Sequence, residues 1–190
     1  MRLNLGTVLL VLFLMFCSKA HADTELIKDI RPGAASSSPD NFLNINDTLF
    51  FAADDGTNGI ELWKSNGTGP STVIVKDINP LAGSSSPSNL LLVNSILFFT
   101  ADDGTNGNEL WKSDGTSGGT VIVEDINPGA ANSSPSKVTN IDGILLFAAT
   151  DGVNGIEIWK SEIPEDTVIV TGDGCFINTL TLHSRWESLL

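Results

Sequence analysis

Cysteine is nearly missing: this chain of 190 residues has two. Cys17 lies in an apolar leader, so Cys175 is alone once the leader is removed. No internal disulfide can then form, and a Cys-rich secreted scaffold is excluded, although export would permit disulfides. Histidine is as scarce, with His21 in the leader and His183 near the C-terminus. Zinc wants a cluster of His and Cys, and a Ser-His-Asp or Cys-His centre wants an imidazole beside its nucleophile. Either would require residues 171–190 to fold back onto the rest. Basic residues number 10 against 23 acids, a net charge of −13, which argues against nucleic acid or an anionic membrane as partner. Helical patterning is absent too. No stretch between the Gly, Pro, Asn and Ser punctuation is long enough for an amphipathic helix.

The one long apolar run, residues 5–16, follows Arg2 and precedes Ala20-His21-Ala22, a small-x-small cleavage site. This reads as a secretory signal over residues 1–22 with Asp23 as the mature start. The run is short for a bilayer span, so no membrane span is expected after cleavage. Cys17 raises a lipoprotein alternative, which bulky Phe16 disfavours. Removing Arg2 and Lys19, and no acid, takes the charge from −13 to −15 for the mature chain. The length left after cleavage suits one domain with a real core.

What the chain does contain is a repeat. Glu61-Leu62-Trp63-Lys64-Ser65 returns as Glu109-Leu110-Trp111-Lys112-Ser113 and again as Glu157-Ile158-Trp159-Lys160-Ser161. Both steps are equal, at about 48 residues, a period that marks a solenoid, a propeller or an array. Asp-Ile pairs at Asp29, Asp77 and Asp125 keep the period, as do Ser-Pro pairs ending at Pro39, Pro87 and Pro135 and Asp-Gly pairs at Asp55, Asp103 and Asp151. The spacing predicts three repeats, at about 24–71, 72–119 and 120–167, within a repeat domain over 23–170. Residues 171–190 lack the marks and read as a divergent tail.

Each repeat reads as four short strands. In the second these fall at residues 72–78, 90–93, 96–101 and 108–112. Asn94-Ser95 forms a tight turn, and an Asp-Gly and Asn-Gly bearing hairpin follows at 102–107. The predicted fold is all-β and β-propeller-like, partial or open, with a β-solenoid as runner-up. Propellers usually close with about 4–8 blades. Three repeats and one extra strand at residues 167–170 leave two alternatives: a piece of a larger array, or a homo-oligomer in which copies complete a propeller.

The unit Glu109-Leu110-Trp111-Lys112-Ser113-Asp114-Gly115-Thr116 resembles the ELWxxDGT repeat family of exported bacterial proteins. Val75-Lys76-Asp77-Ile78-Asn79-Pro80, Ser85-Ser86-Pro87 and Ala101-Asp102-Asp103-Gly104-Thr105-Asn106-Gly107 agree with it. The resemblance spans about residues 24–170. It implies a propeller-like β architecture and a secreted, periplasmic or cell-surface location, and little about activity. The third copy departs from it at Ser161-Glu162-Ile163-Pro164, where Asp-Gly-Thr is missing.

The candidate site is the acidic loop. It comprises Asp54, Asp55, Asn58 and Glu61, then Asp102, Asp103, Asn106 and Glu109, then Asp151, Asn154 and Glu157. Oxygen ligands around a Gly-bearing turn suit calcium, although the spacing is not that of an EF-hand. Plain hairpin chemistry explains the same residues. The recurring Trp63, Trp111 and Trp159 read as packing between neighbouring repeats, with an aromatic platform for sugar or peptide as the alternative. No catalytic residue is nominated. The expectation is an exported non-enzymatic repeat module for binding or cell-surface assembly, with an unidentified protein or carbohydrate as ligand. A calcium-stabilised structural or adhesive array is the alternative, and a propeller-type carbohydrate hydrolase stands behind both.

Overall fold

The computed structural model describes residues 24–162 and is all-β there, with no helix. Eleven strands form three antiparallel sheets. The first holds β1 (Asp40–Ile45), β2 (Thr48–Asp54), β3 (Ile60–Ser65) and β4 (Val73–Lys76) in that order. The second holds β5 (Ser88–Val93), β6 (Ile96–Asp102), β7 (Asn108–Ser113) and β8 (Val121–Glu124). The third, among the described residues, holds β9 (Ser136–Ile141), β10 (Ile144–Thr150) and β11 (Ile156–Glu162). The strand expected at residues 167–170 lies outside the described residues. No helix of the described residues is long and apolar enough to cross a membrane.

Turn chemistry sets the local pairing. Asn46-Asp47 and Asn94-Ser95 are left-handed at both positions, as is Asp142-Gly143. Two left-handed residues make the two-residue turn that matches strand twist. The first strand of each sheet carries a bulge with a left-handed residue, Asn41, Asn89 or Lys137. The sheets straddle the sequence frame. Val73–Lys76, which opens the second sequence repeat, pairs with β3 as the outer strand of the first sheet. It pairs there because Ser65 and Thr72 close the intervening turn with a 2.8 Å hydroxyl contact, as Ser113 and Thr120 do one repeat later.

The core lies between the sheets. Phe50, Leu62 and Val75 of the first sheet pack against Leu97, Phe99, Ala101 and Trp111 of the second. Phe98 and Leu110, on the second sheet's other face, pack against Leu145, Phe147, Ala149 and Trp159 of the third. The second sheet has a neighbour on both faces, and β6 is buried from Leu97 to Ala101. β2 is buried from Phe50 to Ala53, but its outward Phe51 and Ala53 pack with Trp63, Leu49, Ile74 and Ile30 rather than with another sheet. β10 instead alternates buried and half-buried, the mark of a sheet covered on one face.

Candidate functional site

The acidic loop residues do not form one cluster. Asp54, Asp55 and Asn58 stay in the β2–β3 turn. Asp55 accepts from the amides of Thr57 and Asn58, both at 2.8 Å, and from the Asn58 side chain at 2.8 Å. Asp103 repeats this with Thr105 and Asn106, and Asp151 with Val153 and Asn154. Partial burial works to raise the Asp55 and Asp103 carboxyls, but these donors outweigh it and hold both below the ordinary range. Asp151 is lowered chiefly by the Asn154 amide.

The residue before each of these is also a turn residue. Asp54 accepts from Gly56 N at 2.6 Å and Asp102 from Gly104 N at 2.7 Å. In the third copy Thr150 Oγ1 takes the same role towards Gly152 N, at 3.1 Å. A hydroxyl serving where a carboxylate stood shows that the position needs an acceptor for an amide rather than a charge. Asp54 also pairs with Arg31. Among the described residues no group of three or more His, Cys, Asp or Glu is arranged to hold a metal ion.

Glu61 and Glu109 lie elsewhere. Both are fully buried, at 0% exposure, and bind the connection that runs to the next sheet. Glu61 accepts from the amides of Ile78 (2.9 Å), Asn79 (3.3 Å) and Ser85 (3.1 Å) and from Ser85 Oγ (2.6 Å). Glu109 accepts from the amides of Ile126 (3.1 Å) and Ser133 (2.8 Å) and from Ser133 Oγ. Burial raises both carboxyls above the ordinary value, against the pull of these donors. Glu157, the third of the series, is exposed.

These carboxylates belong to a junction that is built twice. Ser86 N donates to Ile60 O at 3.1 Å, and Ser134 N to Asn108 O at 3.1 Å. Asn41 Nδ2 reaches Pro87 O at 3.2 Å, and Asn89 Nδ2 reaches Pro135 O at 3.5 Å. Gly59 and Gly107 are left-handed, and a Cβ at either would strike the incoming connection, at Gly83 O or Ala131 O. The sequence names Ser85 within the recurring Ser-Ser-Pro mark of a connection between repeats, but not as a partner of Glu61, and it does not point to Asn41 or Asn89.

Trp111 and Trp159 sit between sheets, and Trp63 packs on the first sheet's outer face with Phe51 and Ile30. Trp63 and Trp111 are buried, and Trp159 is half-buried. Lys28 Nζ lies 5.8 Å from the Trp63 ring centre, and Lys76 Nζ 5.9 Å from that of Trp111. Each lysine also donates to the carbonyl beyond the ring's own strand, Thr72 O or Thr120 O at 2.7–2.8 Å. A cation over the ring face is favourable, and Lys76 on Trp111 ties the first sheet to the second. Packing therefore accounts for the tryptophans. A groove of about 730 Å³ opens on the first sheet's outer face, with Leu26, Ile27, Ile30, Phe42, Leu49 and Phe51 in its lining.

No known family profile matches the chain, and no curated protein does. Solved structures with similarity to part of the chain include two designed proteins. The computationally designed Ika4 protein is 20% identical over 64% of this chain and 64% of its own, with a TM-score of 0.37. The computationally designed Ika8 protein is 19% identical over 65% of this chain and 33% of its own, with a TM-score of 0.36.

Proposed function

We propose that this chain is an exported, non-enzymatic repeat module of the ELWxxDGT type, an open arc of β-propeller blades that works by binding or assembly outside the cytoplasm. The observation that carries the reading is the junction between sheets. It is made from the same residues twice, and among the described residues half of it stands open at each end of the arc. The carboxylates that a hydrolase would need are spent on structure: Asp55, Asp103 and Asp151 fold turns, and Glu61 and Glu109 fasten connections. They recur in near-identical surroundings, whereas a catalytic centre is one asymmetric constellation. A protein or carbohydrate surface is the partner class, and the acidic chain disfavours polyanions. The calcium-stabilised array remains the alternative that chelation decides.

The test is to express the tagged gene with its leader in a bacterium, fractionate the cells, and record solution scattering of the released protein. A processed protein outside the cytoplasm, with the dimensions of stacked sheets, is the expected result. An unprocessed cytoplasmic chain, or the profile of separate beads, refutes the proposal.

A further inference from the structure

We infer that the two ends of the arc are the two halves of one further junction, and that a second copy of this chain closes it head to tail. The inference rests on the stacked-blade reading above and names the partner of its open ends.

The outgoing end is the free face of the third sheet. Leu62 and Leu110 are fully buried on the corresponding faces of the first and second sheets, at 0%, whereas Ile158 at the same register is 81% exposed. Phe50 and Phe98, both buried, correspond to half-buried Leu146. Glu157, which corresponds to the buried Glu61 and Glu109, faces solvent. Gly155 has nothing within 4 Å of a built Cβ, where Gly59 and Gly107 are blocked by the next connection. The face is apolar in sequence and open among the described residues.

The incoming end is the outer face of the first sheet. At the internal junction the Phe50 ring lies 3.2 Å from the Cβ position of Gly115, whereas nothing lies within 4 Å at Gly67, its counterpart. The groove beside Gly67 is the room that a preceding sheet would fill. Phe42 at its rim is 58% exposed. Ser38 N, whose counterparts Ser86 and Ser134 donate to the preceding sheet, turns instead to Ser36 Oγ at 2.9 Å.

Residues 24–28 tie the ends together. Lys28 stands over Trp63 and donates to Thr72 O as Lys76 stands over Trp111 and donates to Thr120 O. The segment therefore holds the place of a preceding sheet's fourth strand, without a sheet beside it, and Leu26 is 80% exposed. β4 pairs with β3 as Trp63 with Ile74 and Lys64 with Val73. The same register on β11 of another copy sets Trp159 against Leu26 and Lys160 against Glu25, an opposite-charge pair across the ladder. Glu157 of one copy then meets the Ile30 amide and Ser37 of the other, as Glu61 meets Ile78 and Ser85. The chain's own residues 171–190 carry no Asp-Ile or Ser-Ser-Pro mark with which to repeat that fastening. Two such junctions join two chains and six sheets into a ring, within the usual blade count. Unlike faces meet, so the contact is heterologous.

The test uses Ile158→Glu and Phe42→Glu in the full chain. Ile158 is 81% exposed in a single copy and Phe42 58%, with its ring stacked on Phe51; circular dichroism of each variant confirms that the single copy still folds. Sedimentation equilibrium should give twice the chain mass for the wild type and one chain mass for each variant. An equimolar mixture of the variants keeps one intact junction and should restore a two-chain species holding one of each, weaker than the wild type. A variant that alone remains a dimer, or a mixture that stays single, overturns the head-to-tail arrangement. A wild type that is single at all concentrations, yet exported and scattering as stacked sheets, overturns the dimer and leaves the module reading standing. Should the wild type be single because residues 167–170 of the same chain close β11, the Ile158→Glu variant will melt below the wild type, and the inference fails.

Discussion

Replacing Glu109 with Ala should destabilise the fold far more than replacing Glu157, although both open the same repeated motif. The change removes the acceptor for the buried amides of Ile126 and Ser133. Ser133 Oγ can still turn to Asn108 O, 3.4 Å away, so two N–H groups are left stranded. A buried donor without a partner costs about 1–3 kcal/mol, which gives a gross loss of about 2–6 kcal/mol. Burial of the carboxylate is itself costly, as its raised pKa records, and its removal returns part of that. A net loss of about 3 kcal/mol is expected, against a total stability of about 5–15 kcal/mol for a domain. For a domain of this size that lowers Tm by about 6–12 °C. Thermal melting followed by circular dichroism, on protein diluted until it sediments as single copies, checks it, with Glu157→Ala as the control that melts with the wild type. If both variants melt within about 2 °C of the wild type, the buried Glu does not fasten the connection.

The same glutamate gives a pH signature. Its folded pKa is raised, so the protonation-linked part of its stability is full below the ordinary Glu range and is lost as pH rises through the folded value, while its hydrogen bonds persist. The urea midpoint difference between wild type and Glu109→Gln should therefore shift against the wild type as pH climbs across that window. A difference that holds constant contradicts the burial argument. Asp55 and Asp103, whose pKa values are lowered, act in the opposite sense: their contribution is present above the ordinary Asp range and fades as pH falls through the folded values. Gly107→Ala must fit a Cβ 2.6 Å from Ala131 O as well as accept a left-handed backbone, whereas Gly155→Ala meets the backbone penalty alone. The first should melt lower than the second by several degrees, and equal melting would show that the connection is not held against Gly107. Chelation with EDTA should leave Tm where it was, because the turn carboxylates already have their donors. A drop of several degrees, restored by calcium, would favour the ion-stabilised array.

The strands and hairpins were legible because their causes are local. Apolar alternation, with Asn-Ser and Asp-Gly at the turns, placed β6 and β7 within one residue of their ends, and the constant period carries the pattern to the other copies. Strand membership was less legible. Residues 72–78 read as the opening of a repeat, and only the pairing shows Val73–Lys76 closing the sheet before it. The candidate site was grouped by closeness in sequence, which placed Glu61 and Glu109 with the turn aspartates. Their partners, Ile78 and Ser85 for the one and Ile126 and Ser133 for the other, lie beyond the next strand. They sit in connections whose course is set by the packing of two sheets. No local pattern reports such a contact. The half-buried state of Leu146 and the exposure of Ile158 were equally hidden, since both are apolar residues at positions that are core in the other copies.

Because each fastening spans a fixed length of chain, whole units are interchangeable. Excision of residues 72–119 would splice the first sheet onto Val121–Glu124 and bring Glu61 to Ile126 and Ser133, its old partners under new numbers. Tandem duplication of the same stretch would lengthen the array with fastenings of the same kind, Glu109 meeting a second Ile78 and Ser85 in place of Ile126 and Ser133. An exchange one residue out of phase would set every carboxylate beside the wrong amide. Recombination between copies is therefore tolerated only in integral steps, and the number of sheets can drift while their design stands still.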